Sequence, residues 1–184
     1  MGNHDTESKQ QTETLLNSVS GRGNQLHYMV IYLSPGDYHR FHSPAVHCVT
    51  SRRHIAGYLS PVKPSYVTKH RDVFKNNERV NLFGTWQQDL FFCQSYVGAL
   101  NVGSICLDFD TSVVTNCANP PAPYFEDRLF KNGIDFKKGE MMGRFEMGST
   151  IVLIWEQSSS HPGKVLVHEG QKINLGEPLF GLHK

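Results

Sequence analysis

The chain has 184 residues, enough for one domain with a respectable core, and its 39% hydrophobic and 11% aromatic content is that of a globular protein. A formal net charge of +1 gives no electrostatic case for a nucleic-acid partner. No apolar run is long enough to cross a bilayer, and the N-terminus lacks the basic-then-apolar pattern of a signal peptide. Membrane association is therefore expected to be peripheral, or to depend on sequence outside these residues. Cys48, Cys93, Cys106 and Cys117 have neither metal-type spacing nor the density of a secreted disulfide framework. They read as free, buried or half-buried thiols of a reducing compartment, with Cys106 a core residue.

Residues 1–24 are polar, and Leu15, Leu16 and Val19 make too short an apolar face for a stable helix. This segment reads as disordered or weakly helical, and the ordered domain is expected over 25–184. Gln25 to Leu33 is aromatic and β-branched and predicts a strand. Ser34 to Asp37 predicts a turn. Asp37 suits a helix N-cap, so a short helical turn is expected from Tyr38, ending before Pro44, with His39 and His42 on one face. Ala45 to Thr50 predicts a strand, and the basic Ser51 to His54 separates it from Ile55 to Leu59. Pro61 and Pro64 interrupt regular structure, and Tyr66 to Asn77 is irregular or one helical turn.

Glu78 to Trp86, Leu90 to Ala99 and Ser104 to Phe109 predict further strands. Gly98 and Gly103 suggest a bulge or a close backbone approach. Asn116 to Pro123 is a Pro-rich loop, and Phe136 to Glu140 a charged turn. Ile151 to Trp155 reads as a buried strand, entered through the flexible step Gly148-Ser149. Gly163 to Val167 and Gly170 to Ile173 alternate like an exposed sheet edge and turn. Short strands joined by Gly and Pro turns predict a mainly β (α+β) fold of antiparallel, sandwich-like sheets with few short helices.

Several clusters could carry chemistry. His39, His42 and His47 suit proton transfer near neutral pH, and no spacing supplies the further ligands of a metal site. Ser149 could serve as a nucleophile if a base takes its proton. Met147 to Ile151 does not form a Gly-x-Ser-x-Gly elbow, because Ile151 stands where the second Gly belongs, so an ordinary serine hydrolase fits poorly. On chemistry alone the step is a turn entering a core strand. Arg52, Arg53, Lys63, Lys69, His70 and Arg71 form a locally basic stretch, either a solvated face or a site for an anionic head group. Phe83, Trp86, Leu90, Phe91 and Phe92 read as core, with a lipid-facing groove as the alternative.

Taken in order, Tyr32 to Pro44, Gly57 to Val62, Asn77 to Val80, Val97 to Ile105 and Lys138 to Leu153 resemble the blocks of phosphatidylserine decarboxylases, over roughly residues 25–180. The resemblance is to the eukaryotic, mitochondrial type. It implies a proenzyme that cuts itself between Gly148 and Ser149, giving a β chain (1–148) and an α chain (149–184). The α chain then starts with a covalent pyruvoyl group made from Ser149, which replaces pyridoxal phosphate as an electron sink. The implied substrate is phosphatidylserine at a membrane surface, the product phosphatidylethanolamine, and the location the mitochondrial inner membrane. By motif order His42 matches the base for self-cleavage and His39 a substrate-side proton donor, and the two roles can be exchanged. Tyr38 and Phe41 read as framework.

The sequence departs from the family in its N-terminal part. The family's self-cleavage triad includes an Asp in a Ser-Pro-x-Asp-Gly segment upstream of the His motif, and nothing of that kind precedes Tyr32. Asp5 lies in a polar tail without such neighbours, and Asp37 belongs to its turn. The family's membrane-associating and targeting segments are also not found, so the chain reads as the later part of a proenzyme. In a Ser-His-Asp hydrolase, disabling the Asp costs about four orders of magnitude in rate. Met147 replaces a Leu, a conservative swap. Two other classes remain: an uncleaved homologue that binds lipid or a partner, and a His-based metalloenzyme.

Overall fold

The computed structural model describes residues 17, 19, 21–87, 89–99, 104–117, 125–146 and 149–182. Most of the polar N-terminal segment, the Leu100–Gly103 step, most of the Pro-rich loop, and Met147 and Gly148 lie outside the described residues. The aromatic and β-branched run Gln25–Leu33 forms strand β1 with the predicted bounds. The strands that follow are β2 (Arg40–His42), β3 (His47–Ile55), β4 (Arg79–Trp86), β5 (Leu90–Val97) and β6 (Ile105–Leu107). Then come β7 (Phe125–Phe136), β8 (Met141–Phe145), β9 (Ser149–Gln157), β10 (Gly163–Val165) and β11 (Phe180–Leu182). Two short helices, α1 (Pro64–Val67) and α2 (Val73–Asn76), interrupt them. The fold is mainly β, and the paired strands whose register is defined run antiparallel.

Six strands form one sheet in the order β1-β9-β5-β4-β3-β7, and β2-β8-β6 form a second, three-stranded sheet. Chain contacts divide the molecule into a larger unit, 28–154, and a smaller one, 1–27 with 155–184. In the larger unit the three-stranded sheet lays Phe41, Met142 and Phe145 into the core beside Leu82, Tyr96 and Val97 of the larger sheet. Phe41 stacks on Tyr96 with ring centroids 3.8 Å apart, and Phe145 meets both rings edge-on. Gly143 lies under this stack, where a Cβ would run into the Cys106 carbonyl and the Phe41 ring. In the smaller unit β10 pairs with β11, Trp155 stacks with His27 and packs on Phe180, and buried Glu156 accepts from Arg22 and Asn24.

Several expectations need correction. Tyr38 to Ser43 is not a helical turn: Arg40–His42 is extended and pairs with β8. Asp37 closes the Ser34–Asp37 turn instead, its carboxylate accepting from the Ser34 N–H at 2.7 Å. A ladder with a distant strand satisfies more backbone groups than one isolated helical turn. The basic Ser51–His54 stretch does not end a strand but lies inside β3. Arg52 is fully buried there, bonded to Asp110 and Glu126, and Arg53 is paired with Asp127, so these two are not a free anion site. Phe92 is core, packed on His47 and Trp86, while Phe83, Trp86, Leu90 and Phe91 are half-buried. All the cysteines are free, but Cys117 is exposed. Burial pushes the Cys93 thiol up to about 12, which makes it inert packing.

Candidate active site

The residues quoted for the resemblance come together in the larger unit. Asn77 and Glu78 lead into β4, where the Asn77 side chain is fully buried. Its amide accepts from the Ser60 N–H at 3.1 Å and donates to the carbonyls of Ser60 and Gly98 at 2.8 and 2.9 Å. The Glu78 N–H donates to the Tyr58 carbonyl, and the Gly98 N–H to the Glu78 carbonyl, each at 2.8 Å. Gly57 fits because a Cβ there would strike the backbone of Asn76 to Glu78. The Glu78 carboxylate binds His54 Nε2 at 2.8 Å and accepts from the Asn116 N–H at 2.9 Å. Three motif blocks thus hold the end of β5 in one position.

Ser149 is the first residue of β9, next to β5 in the sheet, and is fully buried. Its hydroxyl donates to the Val97 carbonyl at that same held strand end. Thr150 is also fully buried, and its Oγ1 has no hydrogen-bond partner. The His motif is held elsewhere in the larger unit, at the β2–β8 ladder. The Phe145 N–H donates to the His39 carbonyl at 2.9 Å, so His39 is tethered three residues before Gly148. His39 Nδ1 is buried without a partner. His42 is half-buried, and both ring nitrogens are bonded: Nδ1 donates to the Gly139 carbonyl at 2.9 Å and Nε2 is hydrogen-bonded with the Tyr38 hydroxyl at 2.8 Å.

His39 lies just before β2 and His42 ends it, so they do not share a helical face, and both belong to the same unit as Ser149. Among the described residues no carboxylate bonds His42, and the Ser149 hydroxyl is bonded to a carbonyl and not to an imidazole. His47 lies apart from this chemistry, in the core. It bonds Ser43 Oγ at 2.8 Å and Gln94 Nε2 at 2.9 Å, and Gln94 in turn accepts from Tyr96. Burial lowers its pKa, against a smaller opposing effect of the Ala45 carbonyl. Among the described residues no group of three His, Cys, Asp or Glu could hold a metal ion. The sequence reading took Tyr38 as framework and did not single out Gly139, yet both bond the His42 ring.

The geometry now has a family to match. A family model of phosphatidylserine decarboxylase matches residues 3–181. The chain belongs to this family. It is 43% identical over 169 residues to the mitochondrial phosphatidylserine decarboxylase proenzyme of Rattus norvegicus, covering 89% of this chain and 41% of that protein. It is 41% identical over 164 residues to the mitochondrial proenzyme 1 of Saccharomyces cerevisiae, covering 84% of this chain and 32% of that protein. The mitochondrial proenzyme 2 of Schizosaccharomyces pombe is 39% identical over 166 residues, covering 85% of this chain and 32% of that protein. The chain thus spans well under half the length of the curated relatives of the family that it matches.

Proposed function

We propose that the chain is precursor sequence of a pyruvoyl-dependent phosphatidylserine decarboxylase, cut between Gly148 and Ser149, with 25–184 as its catalytic domain. Membership of the family supports this, and one structural observation carries it. Ser149 is buried at the mouth of β9, with its hydroxyl held at Val97 and unpartnered polar atoms, Thr150 Oγ1 and His39 Nδ1, in the same unit. Buried polar groups are almost always bonded, so each of these two atoms has room for a further partner, a water molecule or a reacting group.

In this reading the Ser149 hydroxyl leaves the Val97 carbonyl and attacks the Gly148 carbonyl carbon. The C–O bond forms as the C–N bond breaks, and His42 carries the hydroxyl proton to the leaving nitrogen. Elimination across Cα–Cβ of Ser149 then expels the Gly148 carboxylate, and water releases the former serine nitrogen as ammonia. The residues present fit the resulting pyruvoyl group: it would be covalent at the start of β9, held by the strand itself, with His39 Nδ1 free to bond. When formed, that group supplies an electron sink for loss of carbon dioxide from an amine-bearing substrate. His39 serves as the proton source after decarboxylation, and Asn77 and Glu78 keep the β5 end from shifting. The two chains stay together because β9 lies between β1 and β5 in one sheet.

The substrate is phosphatidylserine presented at a membrane surface. Among the described residues no helix is long and apolar enough to cross a membrane, which fits a peripheral encounter. Mitochondrial placement follows the names of the relatives. Incubation with phosphatidylserine in detergent micelles tests the reading: phosphatidylethanolamine should appear with the parent chain and not with Ser149→Ala. Equal product from both would overturn it. A second reading, an uncleaved homologue that binds lipid, is favoured by the Ser149 hydroxyl being bonded to the Val97 carbonyl and not to an imidazole. It predicts binding to phosphatidylserine vesicles with the chain intact.

A further inference from the structure

His42 is gripped on both sides of its ring by groups that carry no charge. A carbonyl oxygen only accepts, so the 2.9 Å contact with Gly139 puts the ring proton on Nδ1. The neutral ring then has its lone pair on Nε2, and the Tyr38 hydroxyl, 2.8 Å away, must donate to it. The Tyr38 and His42 rings also stack, with centroids 5.8 Å apart and planes 21° from parallel.

The acceptor is itself built. Gly139 has φ +81°, a left-handed conformation that glycine adopts without strain. Its N–H donates to the Ser43 carbonyl at 2.7 Å, and the Ser43 N–H donates to the Glu140 carbonyl at 2.8 Å. The Glu140 carboxylate accepts from the Lys137 N–H at 2.9 Å and closes the turn. The residue after His42 is thus bonded to both residues that present the carbonyl.

We propose that Tyr38 is a positioning residue for His42, and that it and the Gly139 carbonyl together hold the imidazole in the tautomer a base needs. This rests on the reading that His42 is the base for self-cleavage. In Ser-His-Asp hydrolases a carboxylate bonds Nδ1–H and fixes that tautomer. Among the described residues the Gly139 carbonyl is the group bonded to Nδ1. A phenol can also follow the ring through its proton cycle. It donates to Nε2 while the ring is neutral, turns aside as the proton arrives from Ser149, and accepts from Nε2–H afterwards. The carbonyl accepts from Nδ1–H in both states. His42 therefore keeps two partners whether neutral or protonated.

The test uses the full chain carrying Ser149→Ala, which stays uncut, with 15N-labelled histidine and the His42 signals assigned against His42→Gln. Nδ1 is expected in the protonated range and Nε2 in the hydrogen-bonded, unprotonated range. Adding Tyr38→Phe should move the Nε2 signal to the value of a free acceptor and leave Nδ1 protonated. In the chain that retains Ser149, Tyr38→Phe should slow self-cleavage by about tenfold, the loss of one oriented hydrogen bond. A proton on Nε2 in the parent, an Nε2 signal unmoved by Tyr38→Phe, or cleavage at an unchanged or higher rate would overturn the proposal. If the parent chain does not cleave, the reading of Ser149 fails, while the spectra alone still decide the role of Tyr38.

Discussion

The Ser149 hydroxyl donates to the carbonyl of Val97, the last residue of β5. That bond ties the proposed nucleophile to a strand end fixed by Asn77, through Gly98, and by Glu78. Segments far apart in sequence thereby act on a single hydroxyl. Gly57 to Ser60 brace Asn77, Asn77 braces Gly98, and the neighbouring Val97 receives Ser149.

Asn77→Ala should be among the most damaging substitutions outside the reacting groups. It removes three bonds and leaves the Ser60 N–H and two carbonyls without partners in a buried place. A loss of about 2–4 kcal/mol in folding stability is expected, with slower self-cleavage at temperatures where the variant stays folded. Urea denaturation followed by tryptophan fluorescence measures the first, and a change within about 0.5 kcal/mol would contradict it.

His42 and His39 should separate by stage. Changing His42 to Ala should leave the precursor uncut, because the base for the Ser149 proton is gone. Changing His39 to Ala should allow cleavage but lower phosphatidylethanolamine formation by about two orders of magnitude or more. Denaturing gels report the first step and product analysis the second. The reverse pattern would exchange the two roles.

Acid should weaken the fold through His47. Its folded pKa is lowered, chiefly by burial, from an unfolded value of about 6.5. The unfolded chain therefore binds the proton more readily. Above that pH both states are neutral and the residue contributes no pH dependence. Below it, stability falls as pH drops towards the folded pKa, by up to about 1.4 kcal/mol per pH unit. Urea midpoints between about pH 8 and pH 5 should fall less steeply for His47→Gln, which removes this linkage. Parallel curves for the two proteins would show that His47 is not the linked group.

What could be read from the sequence was local, and what could not was set by distant partners. Gln25–Leu33 and the strand over Ile151–Trp155 were legible because their side chains pack against a core whatever strand lies beside them. The segment around His39 and His42 misled because Asp37 is a good local cap, while its true backbone partners lie about a hundred residues on, in β8. Arg52 looked like surface because Asp110 and Glu126 are 58 and 74 positions away. Strand β7 gave no clear signal because its charged residues are those of an exposed edge strand. The motif blocks identified Ser149, His39 and His42 as candidates. The grip on His42 was invisible, since Gly139 is 97 positions from it.

Intact-mass analysis of the purified chain under denaturing conditions tests the central claim most directly. Two species are expected, ending at Gly148 and starting at position 149, the second lighter by one ammonia than a chain beginning with serine. A single uncut mass that persists on long incubation, with Ser149 unmodified on peptide sequencing, would contradict it.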